Sequence, residues 1–242
     1  MSEDRPTTLD QSPDPRPTAE SDRTDGGHSL AELRLCLTVP LLCDALDAHG
    51  LSCQSPRLPI KPLTSVSPLL LGRAKTTLWA DMAHLDPRPY QLELAAIDSC
   101  RPDEVIVCAA GGSFRSGIWG ELLTAAATNV GCVGVIVDGA IRDLARIREL
   151  GFPVYARGCN PYDSRNRQRV IDYDVPVEWD SIRIEPGDLI AADEDGIVVI
   201  PRRVEASVLA AAMEKVGAEN RVRDAIVAGM SATQAFETFG VL

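Results

Sequence analysis

The sequence lacks any apolar run of the roughly 18 residues that a membrane-spanning helix requires, and its N-terminus lacks the basic-then-apolar pattern of a secretion signal. These two absences predict a cytoplasmic location. Basic residues are also in deficit, since the net charge is −11. This acidity predicts that the protein binds neither nucleic acid nor anionic membranes broadly. A small anionic substrate is compatible with it, because such a ligand needs only a local group of donors.

Histidine and lysine are scarce. The three histidines are His28, His49 and His84, so a Ser-His-Asp triad or a His-rich zinc site is hard to build from the rest of the chain. The chain has three lysines against 21 arginines. Only Lys75 lies inside an apolar strand pattern, and it is therefore the one candidate for a Schiff-base lysine. The ordinary interpretation is that its amine extends to solvent.

Paired cysteines are absent as well. The seven cysteines form no C-x-x-C pair and no regular spacing, and several lie in apolar stretches. The pattern predicts buried free thiols in a reducing compartment rather than disulfides or a metal site.

The first 28 residues contain many acids and prolines and almost no apolar side chain. Such a composition cannot offset the entropy lost on ordering, so residues 1–28 are predicted to be a disordered acidic tail. We expect this tail to be dispensable for folding and activity. Residues 29–242 are predicted to form a single domain, because no second linker interrupts them.

Alternating strand and helix patterns follow the tail and predict right-handed βαβ units with parallel strands. Loops are expected at 110–120 and 138–142, after two of the strands, and an irregular segment is expected up to about residue 180. The predicted strands are 66–71, 73–79, 104–109, 133–137, 153–156, 181–184, 189–192 and 196–200. The predicted helices in the βαβ region and at the C-terminus are 121–130, 143–150 and 203–228.

Candidate functional residues lie where two neighbouring strands end. Helix 121–130 descends about 15 Å and strand 133–137 climbs about 16 Å back, so Arg142 and Asp143 should return to the sheet edge at which Glu121 begins its helix. Ligands bind at this edge of a parallel sheet. Each residue also has an ordinary explanation. The helix dipole favours acids in a first turn, and the arginine could be solvated or simply pair with Asp143. Free backbone amides at 120–123 would suit a substrate carboxylate, and Arg142 could bind it through two hydrogen bonds.

Four segments of the chain carry a recognisable family pattern, namely WGELLTAAA (119–127), GVIVDGAIRD (134–143), LGFPVYARG (150–158) and EPGDLIAADEDGIVVIP (185–201). They resemble the family of regulators of RNase E activity A, which includes the 4-hydroxy-4-methyl-2-oxoglutarate / 4-carboxy-4-hydroxy-2-oxoadipate aldolases. The resemblance implies an α/β fold of the swivelling β/β/α type with a parallel βαβ core. It also implies a homotrimer or hexamer with a site between subunits.

The aldolases of this family resemble one another in an acid, twenty further residues and then Arg-Asp, and this chain has Glu121 followed at that spacing by Arg142 and Asp143. The resemblance implies that Asp143 lies at a Mg²⁺ or Mn²⁺ site and that Arg142 binds the pyruvate moiety. It further implies that Glu121 activates a water that relays protons, and that Glu219 approaches the metal from a neighbouring subunit. The substrate-lining backbone amides implied by the resemblance belong to Gly120, Glu121, Leu122 and Leu123.

The sequence departs from the family pattern in two places, at CAAGGSFRS after one strand and at PVEWDS before the PGD turn. Arg115 in the first departure could bind a distal substrate carboxylate or could be solvated. The leading hypothesis is a divalent-metal lyase that forms pyruvate from 4-hydroxy-2-oxo acids or decarboxylates oxaloacetate. The alternatives are a non-catalytic regulator of an RNase or helicase, and a related enzyme acting on a different oxo or hydroxy acid.

Overall fold

A computed structural model describes residues 27–64 and 69–240. Nearly all of the predicted tail, and the first residues of the predicted strand 66–71, lie outside these ranges. The described helices are α1 (Leu30–Cys36), α2 (Val39–Ala48), α3 (Gln91–Asp98), α4 (Glu121–Asn129), α5 (Leu144–Leu150), α6 (Glu205–Val227) and α7 (Ala232–Phe239). The described strands are β1 (Lys61–Pro62), β2 (Leu70–Asp81), β3 (Glu104–Trp119), β4 (Gly134–Ile141), β5 (Val154–Cys159), β6 (Gln168–Tyr173), β7 (Val177–Trp179), β8 (Ile182–Ile184), β9 (Leu189–Ala192) and β10 (Ile197–Ile200).

Eight of these strands form one mixed sheet in the order β1-β5-β4-β3-β2-β9-β10, with β6 also pairing with β2. The central pairs β2–β3, β3–β4 and β4–β5 are parallel, because helices α3, α4 and α5 cross over between them. The outer strands β1, β6, β9 and β10 pair antiparallel. The parallel βαβ core is as predicted.

The central strands of this sheet are buried on both faces. Ile106 and Cys108 of β3 face a core shared with helices α3, α4 and α5. Their neighbours Val105 and Val107 face the opposite core, where the β7–β8 hairpin contributes Trp179. Helices α1, α2 and α6 pack over the other half of the sheet, around β2, β9 and β10. The layers are therefore hairpin, sheet and helices, which confirms the β/β/α class.

Two predicted loops are wrong. Strand β3 continues through residues 110–119, and β4 continues to Ile141. Gly111 and Gly112 adopt left-handed φ angles of 59° and 74° within β3, and the β3–β4 register shifts after Cys108. The glycines therefore mark bulges that bend a long strand rather than a loop that ends it.

Two further boundaries differ from the prediction. The strands predicted on either side of Gly72 form one strand, and Gly72 allows close approach, since a Cβ there would collide with the carbonyl oxygen of Asp103. The segment predicted to be irregular up to residue 180 contains β6 and β7. The antiparallel pairing of β6 with β2 was missed because it depends on residues that are distant in the chain.

The cysteine prediction is partly correct. All seven cysteines are free thiols; Cys100, Cys108 and Cys132 are buried, and Cys43 is half-buried. The other three cysteines, Cys36, Cys53 and Cys159, are exposed, so the prediction is wrong for them. They are exposed because they lie at the end of α1, in a loop and at the end of β5.

Lys75 does not extend to solvent. Its side chain is 1% exposed, and its Nζ donates hydrogen bonds to Asp174 Oδ2 at 2.8 Å and to Ser99 Oγ at 2.9 Å. The amine also lies 5.1 Å from the centre of the Tyr173 ring. Lys75 can be buried within this apolar strand because these partners satisfy its charge.

No helix among residues 27–64 and 69–240 is long and apolar enough to cross a membrane.

Candidate functional site

A cleft of about 260 Å³ opens at the edge of the sheet where β3 and β4 end and α4 begins. Its walls combine apolar side chains with one arginine and three acids. The lining residues are Tyr90, Glu93, Leu94, Gly117, Ile118, Trp119, Gly120, Leu122, Leu123, Arg142, Asp143, Asp163 and Ser164.

The start of α4 is fixed by a chain of hydrogen bonds. The buried Trp119 donates from Nε1 to Thr124 Oγ1 at 2.8 Å, and that hydroxyl donates to the carbonyl of Gly120 at 2.9 Å. The Trp119 ring also stacks on Phe152, with centroids 6.5 Å apart. The Arg142 amide donates to the Trp119 carbonyl at 2.8 Å, which ties the end of β4 to the end of β3.

Gly120 is the N-cap of α4 and has no side chain that could cap the helix. The first amide to bond back to its carbonyl is that of Thr124. Within the described part of the chain, the backbone N–H groups of Glu121, Leu122 and Leu123 have no recorded acceptor. Three unpaired donors at a helix N-terminus next to an arginine suit a carboxylate ligand.

The guanidinium of Arg142 lies between two aspartates. Its Nη1 donates to Asp163 Oδ2 at 2.7 Å and its Nε donates to Asp143 Oδ2 at 3.1 Å. The arginine side chain is 33% exposed. Asp163 is itself fixed by the hydroxyl of Tyr90, which donates to Oδ1 at 2.6 Å, and by the amide of Arg165 at 2.7 Å. The guanidinium is thus held in one orientation while a third of the arginine side chain still faces solvent.

These contacts shift two pKa values. Burial alone would raise the pKa of the Asp163 carboxyl, but the hydrogen bonds from Tyr90 and the Arg165 amide and the charge of Arg142 bring it below its ordinary value. Burial and the hydrogen bond to Asp163 raise the pKa of Tyr90 to about 12, so this hydroxyl keeps its proton at neutral pH.

Two of the lining residues have left-handed backbone angles that L-residues rarely adopt. Asp143 has φ of 58° at the N-cap of α5, and Tyr90 has φ of 65° at the N-cap of α3. Neither side chain caps its helix. Asp143 was predicted in the first turn, where the dipole would explain an acid, whereas it lies one residue earlier and turns towards Arg142. Strained residues of this kind concentrate at functional sites.

Gly120 and Asp143 are in close contact. A Cβ at position 120 would lie 2.6 Å from Asp143 Oδ2, so any larger residue would displace the carboxylate. A Cβ at position 117 would likewise lie 2.8 Å from the Cβ of Arg142, so glycine is needed there for the close approach. The two glycines keep open the space that Arg142 and Asp143 occupy.

Glu93 lies at the inner wall of the cleft. It is 8% exposed although it belongs to the first turn of a surface helix. Burial raises the pKa of Glu93 to about 8, with a further increase from the charge of Asp163 and an opposing effect from Arg142. Its carboxyl forms no hydrogen bond with any described residue.

The structure gathers most of the predicted site residues. Five of them line the cleft, namely Gly120, Leu122, Leu123, Arg142 and Asp143. Glu121 begins α4 next to Gly120 but is not among the lining residues. Glu219 is on α6, where it pairs with Lys215 at 3.8 Å and Arg223 at 3.9 Å, and the structure does not bring it to the cleft of the same chain. Arg115 is exposed and does not line the cleft.

Tyr90, Glu93 and Asp163 were missed from the sequence. Asp163 lies in a loop that has no periodic pattern, and its partnership with Arg142 depends on tertiary structure. A signal did exist for Glu93, since the buried positions of α3 are Glu93, Ala96 and Ile97 at helical spacing. An acid on the apolar stripe of a helix requires an explanation.

The donors at this site suit a hard cation with few protein ligands. Among the described residues, no three His, Cys, Asp or Glu side chains are close enough together to enclose a metal ion. Mg²⁺ is commonly held by one or two carboxylates, with water and substrate as its other ligands. Asp143 offers such a carboxylate, 40% exposed, in space that Gly120 keeps free. The residues present therefore fit Mg²⁺ or Mn²⁺.

Comparison with known proteins places this chain in one family. Residues 39–199 match the RraA-like family model described as Aldolase/RraA, and the chain belongs to this family. It is 33% identical over 201 residues to a protein of Halalkalibacterium halodurans that is provisionally named a 4-hydroxy-4-methyl-2-oxoglutarate aldolase; the match covers 82% of this chain and 90% of that protein.

Solved structures show the same fold. A protein from Pseudomonas syringae pv. tomato superposes with a TM-score of 0.72 at 28% identity, covering 85% of this chain and 96% of that one. Streptomyces coelicolor RraAS2, described as an unusual member of the RNase ES inhibitor RraA protein family, superposes with a TM-score of 0.69 at 29% identity, covering 78% and 93%. Family membership thus leaves both an aldolase and an RNase regulator as precedents.

Proposed function

We propose that the protein is a divalent-metal-dependent lyase that releases pyruvate from 4-hydroxy-2-oxo acids, decarboxylates oxaloacetate, or does both. The observation that carries this proposal is the meeting of Arg142, Asp143 and the unpaired amides of α4 in one cleft. A 2-oxo acid presents a carboxylate beside a ketone. The cleft offers cationic and amide donors for the carboxylate, next to an oxygen ligand for a cation.

Arg142 and the α4 amides would bind and orient the substrate. Because Asp143 and Asp163 fix the guanidinium, little side-chain entropy is lost when a carboxylate binds to its exposed edge. The amides of Glu121, Leu122 and Leu123 add donors whose positions are set by the helix. The apolar side chains of Trp119 and Leu123 line the same cleft.

Asp143 is the residue of this chain that would hold Mg²⁺ or Mn²⁺, and Glu219 of a neighbouring subunit is the proposed second contributor. When bound, the cation supplies Lewis-acid stabilisation of the negative charge that develops on the 2-oxo oxygen. Glu121, as first residue of α4, is proposed to orient the water that accepts the substrate's hydroxyl proton.

Pyruvate release from a panel of oxaloacetate and 4-hydroxy-2-oxo acids tests the proposal. We expect turnover with Mg²⁺ or Mn²⁺, loss of turnover in EDTA, and recovery when the cation is restored. Full activity in EDTA together with borohydride trapping of substrate on Lys75 would replace the metal route by an imine. The burial and ion pair of Lys75 oppose that outcome. No turnover of any panel member would contradict the lyase proposal.

A regulator of an RNase is the second candidate, supported by the structural similarity to RraAS2. Asp143→Asn separates the two functions. A regulator should inhibit RNA cleavage by a purified RNase E-type enzyme equally well with and without this substitution, whereas lyase activity should require the carboxylate.

We further propose that the active protein is a homotrimer or hexamer with the cleft at a subunit boundary. Large apolar side chains are exposed around the cleft, with Leu122 76%, Leu94 49% and Tyr162 59% exposed. A second copy would bury them and could bring Glu219 to the cleft. Sedimentation equilibrium tests the state directly, and Leu122→Asp should dissociate the assembly; a monomer that is fully active would contradict this part.

A further inference from the structure

Glu93 is the one acid that faces the cleft from the buried side of a helix. Ala96 and Ile97, which share its face of α3, pack into the core, so the helix directs the carboxyl inward. It lies beside Trp119 and Leu123 at the inner wall and also borders a smaller cavity that reaches Thr77 and Cys108. A substrate in the cleft would thus meet Glu93 at a buried part of its wall.

The other charged groups of the cleft are already engaged. Arg142 bonds to both aspartates, and the hydroxyl of Tyr90 donates to Asp163. Glu93 alone among these groups forms no hydrogen bond to a described residue. An acid that is nine-tenths buried as a residue, and whose carboxyl has no described partner, is costly to retain. It suits a site where a ligand supplies the partner.

The surroundings favour the protonated form of this acid. Burial and the charge of Asp163 oppose a negative charge at Glu93, whereas Arg142 favours one. Tyr90, one turn earlier on the chain, directs its proton to Asp163 rather than to Glu93. Glu93 therefore holds an uncommitted proton inside the cleft, with a pKa near 8 that is well matched to transfer at neutral pH.

We propose that Glu93 is the catalytic acid that delivers a proton to C3 of the pyruvate enolate, an inference that rests on the proposed lyase function. The enolate forms when the C3–C4 bond breaks, either as the 4-hydroxyl proton passes to water or as carbon dioxide leaves. The Glu93 O–H bond then breaks, the enolate electron pair forms the new C3–H bond, and the enolate oxygen becomes the ketone of pyruvate. Solvent returns a proton to the Glu93 carboxylate.

Exchange of the pyruvate methyl protons with D₂O measures this proton transfer without cleavage of the C–C bond. The exchange is monitored by ¹H NMR with Mg²⁺ present. We expect the wild-type protein to deuterate pyruvate. Glu93→Gln keeps the shape of the side chain and should slow exchange by about 10²-fold or more, with little change in KM for pyruvate release. Glu93→Asp should retain part of the exchange because it is still an acid.

Asp98→Asn is the matched control, because Asp98 is an exposed acid on the same helix and should leave exchange unchanged. A wild-type protein that neither exchanges nor releases pyruvate contradicts the lyase proposal itself. If the wild-type protein and Glu93→Gln exchange the methyl protons of pyruvate at the same rate, the proposed role of Glu93 is overturned. Loss of exchange in Glu121→Gln but not in Glu93→Gln would assign the proton to Glu121 instead. Near-UV circular dichroism checks that each variant is folded, and rates are compared per folded molecule.

Discussion

Lys75 and Arg142 are both cations flanked by acids on neighbouring parts of the sheet, yet their surroundings are opposite. Lys75 is 1% exposed and its donors are taken up by Asp174 and Ser99, under the ring of Tyr173. Arg142 is 33% exposed between two aspartates that are themselves about 40% exposed. The first group is closed to any ligand, whereas the second presents donors and acceptors to a cleft.

The difference shows which features separate a structural ion pair from a candidate site. Burial alone does not, since the more buried lysine is the structural one. The cleft instead combines incomplete pairing with glycines that leave room for charged side chains. Unpaired polar groups have a cost in stability, and ligand binding would explain why they are kept here.

The largest effect is expected from removing the exposed carboxylate of Asp143, which pairs with Arg142. Asp143→Asn keeps the shape and removes the charge, so lyase activity should fall by about 10²-fold or more. Isothermal titration of Mg²⁺ should show weakened binding in parallel. Wild-type turnover by this variant would mean that Asp143 is only a structural partner of Arg142.

Removing the buried cation should instead act on stability. Lys75→Met removes the buried charge that pairs with Asp174, and breaking a buried pair typically costs about 3–5 kcal/mol. We expect a value near the lower end, since Asp174 is 30% exposed. Urea unfolding measures the loss, while turnover per folded molecule should not change. A stable variant without lyase activity would show that Lys75 takes part in the chemistry.

Gly120→Ala tests whether the space around Asp143 matters. The added methyl group would lie 2.6 Å from Asp143 Oδ2 and must displace it. Because a displacement of about 1 Å in an active site can cost about 10²-fold, we expect a loss of kcat of that order. Gly217→Ala is the control, since a Cβ there meets nothing within 4 Å. Equal activities of the two variants would contradict the role of this contact.

The position of Arg142 at the start of α4 was predictable from the sequence, but its polar partners and those of Lys75 were not. The βαβ pattern brings residue 142 back to the start of α4, and the structure confirms that expectation. The pattern does not distinguish a bulged strand from a loop at Gly111 and Gly112, because both contain glycines with positive φ. Nor does it pair Asp163 with Arg142, which are joined only through the tertiary fold. Lys75 was misjudged because its partner Asp174 is 99 residues away in the chain.

A smaller effect should follow from changing the geometry of the Arg142 group while keeping its charge. Arg142→Lys loses the planar set of donors that bonds to Asp143 and Asp163, so substrate would be bound less firmly. We expect KM to rise roughly tenfold, with a lesser fall in kcat. Arg146→Lys, on an exposed pair with Glu149, should have no effect on either constant. A KM unchanged in Arg142→Lys would indicate that the helix amides alone bind the carboxylate.

The last expected effect is the pH dependence of the folding stability that is linked to Glu93. Burial raises the pKa of this carboxyl from 4.5 to about 8 in the folded protein, so the folded state binds more protons than the unfolded state between these values. The wild-type protein should therefore lose stability as pH rises through this window, by at most roughly 1.4 kcal/mol per pH unit. Glu93→Gln cannot ionise and should lack this loss, which makes it the more stable protein at pH 8 relative to its stability at pH 5. Urea unfolding in EDTA across this range measures the difference without a cation at Asp143. Parallel stability curves would show that Glu93 is ionised in the folded protein, and they would remove the proton on which its proposed role as an acid depends.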